Sequence, residues 1–128
     1  MFVVGIGGDV SIEFNDPVQK WGSVDMTCSY ESNTDRKYVQ WYRHINGRTE
    51  RFLLFLGTDS YVVRNQPEPD FEFRMTVIHL TSYLTQHMIR LNDVAEEDEG
   101  LYWCTVSVVG EEQVLHSPSK ALKVVGGK

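Results

Sequence analysis

DEGLYWC, residues 98–104, alternates without a break, so that Asp98, Gly100, Tyr102 and Cys104 share one parity. A period of two marks an extended strand with one face turned to a core. Tyr102 and Cys104 are then inward, and Leu101, Trp103 and Thr105 outward. The other cysteine, Cys28, lies 76 positions upstream. Two cysteines so far apart suit either a disulfide or two buried thiols, and their number leaves both open.

Outward from this stretch, strand patterns dominate. SVDMTCSY (23–30) sets Val24, Met26 and Cys28 on one face. YVQWYRH (38–44) turns Val39 and Trp41 inward and Gln40, Tyr42 and His44 outward. Asn46-Gly47 is a strong hairpin-turn signal. RFLLFLG (51–57) is apolar on both faces, DSYVV (59–63) reads as a short strand, and RNQPEPD (64–70) reads as a loop broken by two prolines. FEFRMTVIHL (71–80) and HMIRLNDV (87–94) follow as strands, and AEEDEG (95–100) as an acidic corner with room for one helical turn. LYWCTVSVV (101–109) and VLHSPSKALKVV (114–125) complete a hairpin around Gly110-Glu111-Glu112. Eight or nine short strands and no long helix predict an all-β antiparallel sandwich or barrel.

Composition narrows the function classes. The chain has 128 residues, enough for one domain over 1–128 with a core at about 10–125. Twelve basic and 18 acidic residues give a net charge of −6, and no run of Lys and Arg reverses it locally, which argues against nucleic acid. No apolar stretch reaches the roughly 18–20 residues that cross a bilayer. MFVVGIGG (1–8) is no signal peptide; Met1 is expected to be an added initiator on an excised ectodomain. His44, His79, His87 and His116 lack metal-ligand spacing, and no Ser-His-Asp or Cys-His arrangement stands out. No catalytic, metal or cofactor site is expected.

Cys28, Trp41 and Asp98-x-Gly100-x-Tyr102-x-Cys104 together resemble the variable-type (V-set) immunoglobulin domain. GSVDMTC (22–28) is similar to its strand B, IRL (89–91) with Val94 to strand E, and ALKVV (121–125) to the end of strand G. The resemblance covers roughly residues 10–125. It implies a two-sheet antiparallel sandwich of about nine strands with Greek-key topology and a Cys28–Cys104 bridge beside Trp41. It also implies a tyrosine corner at Tyr102, a tight turn at Gly100, and an ion pair between Asp98 and Arg74, with Arg64 as the alternative cation. The extra strands C′ and C″ are expected at 51–57 and 59–63. A bridge across so long a loop is worth roughly 3–5 kcal/mol in the chain-entropy picture, and it implies an extracellular setting.

What the domain would bind follows from the same resemblance. Strand register with the family puts Tyr42, His44, Phe52, Phe55, Trp103 and Thr105 on the outer face of the front (C, C′, F, G) sheet. There they would form an aromatic surface for a protein partner, either a second copy in a homodimer or another immunoglobulin-type domain. The implied role is an immune-type receptor or adhesion domain, with any membrane attachment supplied from outside these residues. The alternative is a secreted innate recognition module that binds a microbial glycan. Its ligand would meet the loops at 29–38, 57–60 and 107–114, through Tyr30, Asp35, Glu111 and Glu112. His116-Ser117-Pro118-Ser119 stands where antigen-receptor V domains carry Phe-Gly-x-Gly. That departure points to a germline-type protein and not a rearranged receptor, and it leaves room for the V-domain proteins of invertebrate chordates.

Overall fold

A computed structural model of the chain describes residues 10–30, 37–57, 62–67, 74–80, 86–108 and 112–126. In chain order the strands are β1 (Val10–Glu13), β2 (Val18–Gln19), β3 (Val24–Tyr30), β4 (Lys37–Ile45), β5 (Arg48–Gly57) and β6 (Val62–Pro67). They continue with β7 (Met75–Leu80), β8 (Gln86–Leu91), a 3-10 turn (Glu96–Asp98), β9 (Gly100–Val108), β10 (Val114–His116), β11 (Lys120–Leu122) and β12 (Val124–Val125). One sheet has the order β1-β3-β8-β7, the other β10-β9-β4-β5-β6 with β11 also on β9. The chain changes sheet between β3 and β4, between β6 and β7, and between β8 and β9, which is the Greek-key sandwich expected.

Strand alternation builds the core. On β3, Val24, Met26, Cys28 and Tyr30 are buried while the residues between them are exposed or half-buried. Val39 and Trp41 on β4, Ile89 and Leu91 on β8, and Tyr102 and Cys104 on β9 meet them with no exposed surface. Cys28 and Cys104 are joined by a disulfide with their Cα atoms 6.2 Å apart, so the thiol reading is discarded. Asn46 and Gly47 turn β4 into β5 with φ of 52° and 79°, the left-handed pair that a two-residue hairpin requires.

Three details differ from the expected strands. Trp41 pairs with Leu53 but Tyr42 pairs with Arg51, so Phe52 is an extra residue on β5. Such a β-bulge breaks alternation and turns two successive side chains to one face. Phe52 and Leu53 are accordingly both fully buried. Residues 64–67, expected in a loop, belong to β6, where Pro67 ends an edge strand opposite Leu53. An edge tolerates the missing amide.

The third difference is the last strand, which is split in three. His116 pairs with Thr105 and Lys120 with Tyr102, one residue out of register, which leaves a bulge at 117–119. Ser117 fills the gap. Its amide donates to the Cys104 carbonyl (2.9 Å), its hydroxyl accepts from the Cys104 amide (3.0 Å), and that hydroxyl donates onward to the Pro118 carbonyl (2.9 Å). The serine hydroxyl thus supplies the acceptor for the Cys104 amide at the bulge, and Pro118 brings no amide there that would need a partner of its own.

β12 runs parallel to β2, with Val18 donating to the Lys123 carbonyl and Lys20 to the Val125 carbonyl. Two carboxylates hold the same segment. Asp16 accepts from the Lys123 amide at 2.6 Å and Glu99 from the Val124 amide at 2.8 Å.

Candidate functional site

The base of the sandwich is organised by Asp98, which is 1% exposed. Its carboxylate accepts from Arg74 Nη2 at 2.6 Å, from Arg43 Nη1 at 3.0 Å and from the Ala95 amide at 2.9 Å. Burial by itself would raise the Asp98 carboxyl; the bonds from Arg74, Ala95 and Arg43 outweigh it and hold the carboxyl below its ordinary range. Arg74 is thus the expected partner, with Arg43 a second. Arg43 also binds Glu50 (2.8 Å) and the Tyr102 hydroxyl (3.1 Å). Tyr102 donates to the Asp98 carbonyl at 2.6 Å, the corner expected of it, and burial pushes its phenol up to about 12.

Gly100 has a different role from the tight turn expected. It opens β9 against β4, where an added Cβ would stand 2.5 Å from the His44 carbonyl oxygen and 2.6 Å from Ile45 Cγ1. Close approach of two strands excludes any side chain there. Trp41, the ladder partner of Cys104, donates from Nε1 to Nδ1 of the buried His87 at 2.9 Å.

The outer face of the front sheet rests on this base. β4 and β9 pair in the register Gln40–Thr105, Tyr42–Trp103 and His44–Leu101. Tyr42 and Trp103 stack with ring centroids 5.6 Å apart and planes 6° from parallel. Gln40 Oε1 accepts from the Tyr42 hydroxyl at 3.3 Å and from Arg51 Nη1 at 3.0 Å, which locks the guanidinium beside the aromatic pair. His44 Nδ1 is 2.7 Å from Thr49 Oγ1, and Leu101 is 42% exposed.

Three members of the expected surface are therefore brought together: Tyr42, His44 and Trp103. Phe52 is removed by the β5 bulge. Phe55 pairs with Val39 in the ladder, and its side chain lies outside the described residues. Thr105 has outward parity but is 2% exposed, a short side chain set between Gln40 and His116 in register. Arg51 was missed because only the bulge brings it level with Tyr42.

The expected loop site fares differently. Tyr30 closes β3, is 3% exposed and belongs to the core, with burial pushing its phenol up. Glu112 is exposed, while Asp35 and Glu111 lie outside the described residues. Among the described residues, no group of three or more His, Cys, Asp and Glu side chains is placed to hold a metal.

Residues 18–125 match the sequence pattern of the Immunoglobulin V-set domain family. The chain is a V-set immunoglobulin domain. It is also similar to the mouse (Mus musculus) immunoglobulin heavy chain V region MOPC 315, 29% identical over 106 residues that cover 80% of this chain and 74% of that one. V-set domains are recognition modules from non-enzymatic families, commonly bind proteins, and are typically extracellular or secreted. Among the described residues of this V-set domain, no helix is long and apolar enough to cross a membrane.

Proposed function

We propose that this V-set domain is the extracellular recognition module of an immune-type receptor or adhesion protein, and that it binds a protein through the outer face of β4, β5, β9 and β10. The observation that carries this reading is the stacked Tyr42–Trp103 pair on the open face of a rigid sheet. Aromatic rings with hydroxyl and amide partners supply contact area at low ordering cost, the composition that protein interfaces favour. Gln40 fixes the Tyr42 hydroxyl, so little side-chain freedom is lost on binding. A second copy and another immunoglobulin-type domain are both partners of a size this face accepts.

Two readouts on Trp103→Ala test the reading: sedimentation equilibrium over a wide concentration range, and staining of cells by the tetramerised domain. Loss of assembly or of staining is expected. A variant that assembles and stains like the parent would refute a front-sheet function.

A further inference from the structure

The turn that joins β4 to β5 is built from a chemically reactive dipeptide. Its two loop residues are Asn46 and Gly47, closed by the Ile45–Arg48 pair. Both are left-handed, at φ of 52° and 79°. Asparagine tolerates that region better than most side chains, and glycine enters it at no steric cost. The hairpin thus favours Asn-Gly for its shape, and the same pair sets a carboxamide beside an uncrowded backbone nitrogen.

The site is open to solvent. Asn46 and Gly47 are both exposed, and a Cβ added at Gly47 would meet no atom within 4 Å. Among the described residues, neither the Asn46 carboxamide nor the Gly47 amide has a hydrogen-bond partner. At the other four asparagines a side chain follows and crowds the nitrogen: Asp16 after Asn15, Thr34 after Asn33, Gln66 after Asn65 and Asp93 after Asn92.

We propose that Asn46-Gly47 is a self-modification site, at which the domain converts Asn46 to aspartate and isoaspartate without an enzyme. The Gly47 nitrogen gives up its proton to base and attacks the side-chain carbonyl carbon of Asn46. A C–N bond forms and closes a succinimide; the carboxamide C–N bond breaks, and its nitrogen takes a proton from water and leaves as ammonia. Water then opens the ring. Cleavage at the former side-chain carbonyl yields aspartate, and cleavage at the Asn46 backbone carbonyl yields isoaspartate. The net change is one water in and one ammonia out, with no oxidant or reductant.

The two products differ in what they do to the fold. Aspartate keeps the backbone and also tolerates the left-handed region, so the turn survives with one more negative charge on a chain of net −6. Isoaspartate routes the backbone through the former side chain. It adds a methylene to a loop whose length sets the hairpin register. The corner has no slack for this, because Gly100 packs directly on the His44 carbonyl and Ile45 Cγ1. The same strand carries Arg43, which holds Asp98.

The test incubates the folded domain, and the same protein in urea, in mildly alkaline buffer made with heavy-oxygen water. Peptide mass spectrometry and methylation by isoaspartyl methyltransferase then locate the products. Labelled aspartate and isoaspartate are expected at Asn46 of the folded domain, in greater amount than at the other four asparagines together. Reaction in urea should be faster, because the turn must rotate about Asn46 before the nitrogen reaches the carbon, and exposed hairpin ends open locally ahead of the core. Asn46→Gln, which would have to close a larger ring, should lose the signal. Asn46→Asp should melt with the parent, and the isoaspartyl fraction, purified by chromatography, should melt below both. An unmodified Asn46 in the folded domain, whatever the urea sample shows, would overturn the site. Equal conversion at any other asparagine would do the same. An isoaspartyl fraction that melts with the parent would overturn the effect on the hairpin.

Discussion

Acidification of this V-set domain from pH 6.5 to pH 5 is expected to remove about 2 kcal/mol of stability through His87 alone. His87 is fully buried on β8, opposite Cys28 in the ladder, and its Nδ1 accepts the Trp41 indole proton. Burial pushes its imidazole down from 6.5 to about 3. The folded-state value thus lies below the unfolded one. As pH falls through 6.5 the unfolded chain takes up a proton that the native domain refuses until near pH 3. The neutral imidazole's contribution is complete above 6.5 and is lost progressively down to about 3. One pH unit corresponds to about 1.4 kcal/mol, which sets the loss over this interval. Asp98 works in a lower window. Its depressed carboxyl contributes fully above the unfolded value of 3.8 and is lost only as pH falls through its folded value. Urea denaturation at pH 7, 6 and 5 should show the decline in the parent and a nearly flat profile in His87→Phe, which keeps a ring of similar volume without a titrating group. Equal slopes in parent and variant would refute the assignment of the acid sensitivity to His87.

Asp98→Ala leaves Arg43 and Arg74 facing each other at the base of the sandwich, and should cost about 3–5 kcal/mol, the range for removing one member of a buried ion pair. Thermal unfolding checks it, and a loss below 1 kcal/mol would contradict the network. Ser117→Ala strips the Cys104 amide of its acceptor and should cost about 1–3 kcal/mol. Hydrogen exchange at the Cys104 amide should accelerate, and unchanged protection there would contradict the bulge.

What the sequence disclosed was whatever alternation and spacing carry. Cys28, Trp41, Tyr102 and Cys104 sit at inward positions of strands whose pattern is unbroken, and Arg74 falls where the family places its cation. Features that depend on how strands pair were not readable in the same way. Phe52 has outward parity until the β5 bulge reverses it, and that bulge is a property of the β4–β5 pair. Thr105 shows that parity is not exposure. Arg43 and His87 carried a signal that went unused. Arg43 follows Val39 and Trp41 on the inward parity of β4, and His87 precedes Ile89 and Leu91 on that of β8. A charged or polar residue at such a position must find a partner inside.

The segment Lys123–Val125 has a mechanical consequence. Its bonds to Val18, Lys20, Asp16 and Glu99 lie across a strand parallel to β2. A pull on Gly126 along the strand axis would load these four bonds in shear, all at once, and would not peel them one by one. Tension reaching the domain from that side would therefore be carried first by two carboxylates and a short parallel ladder, with the disulfide-closed sandwich shielded behind them.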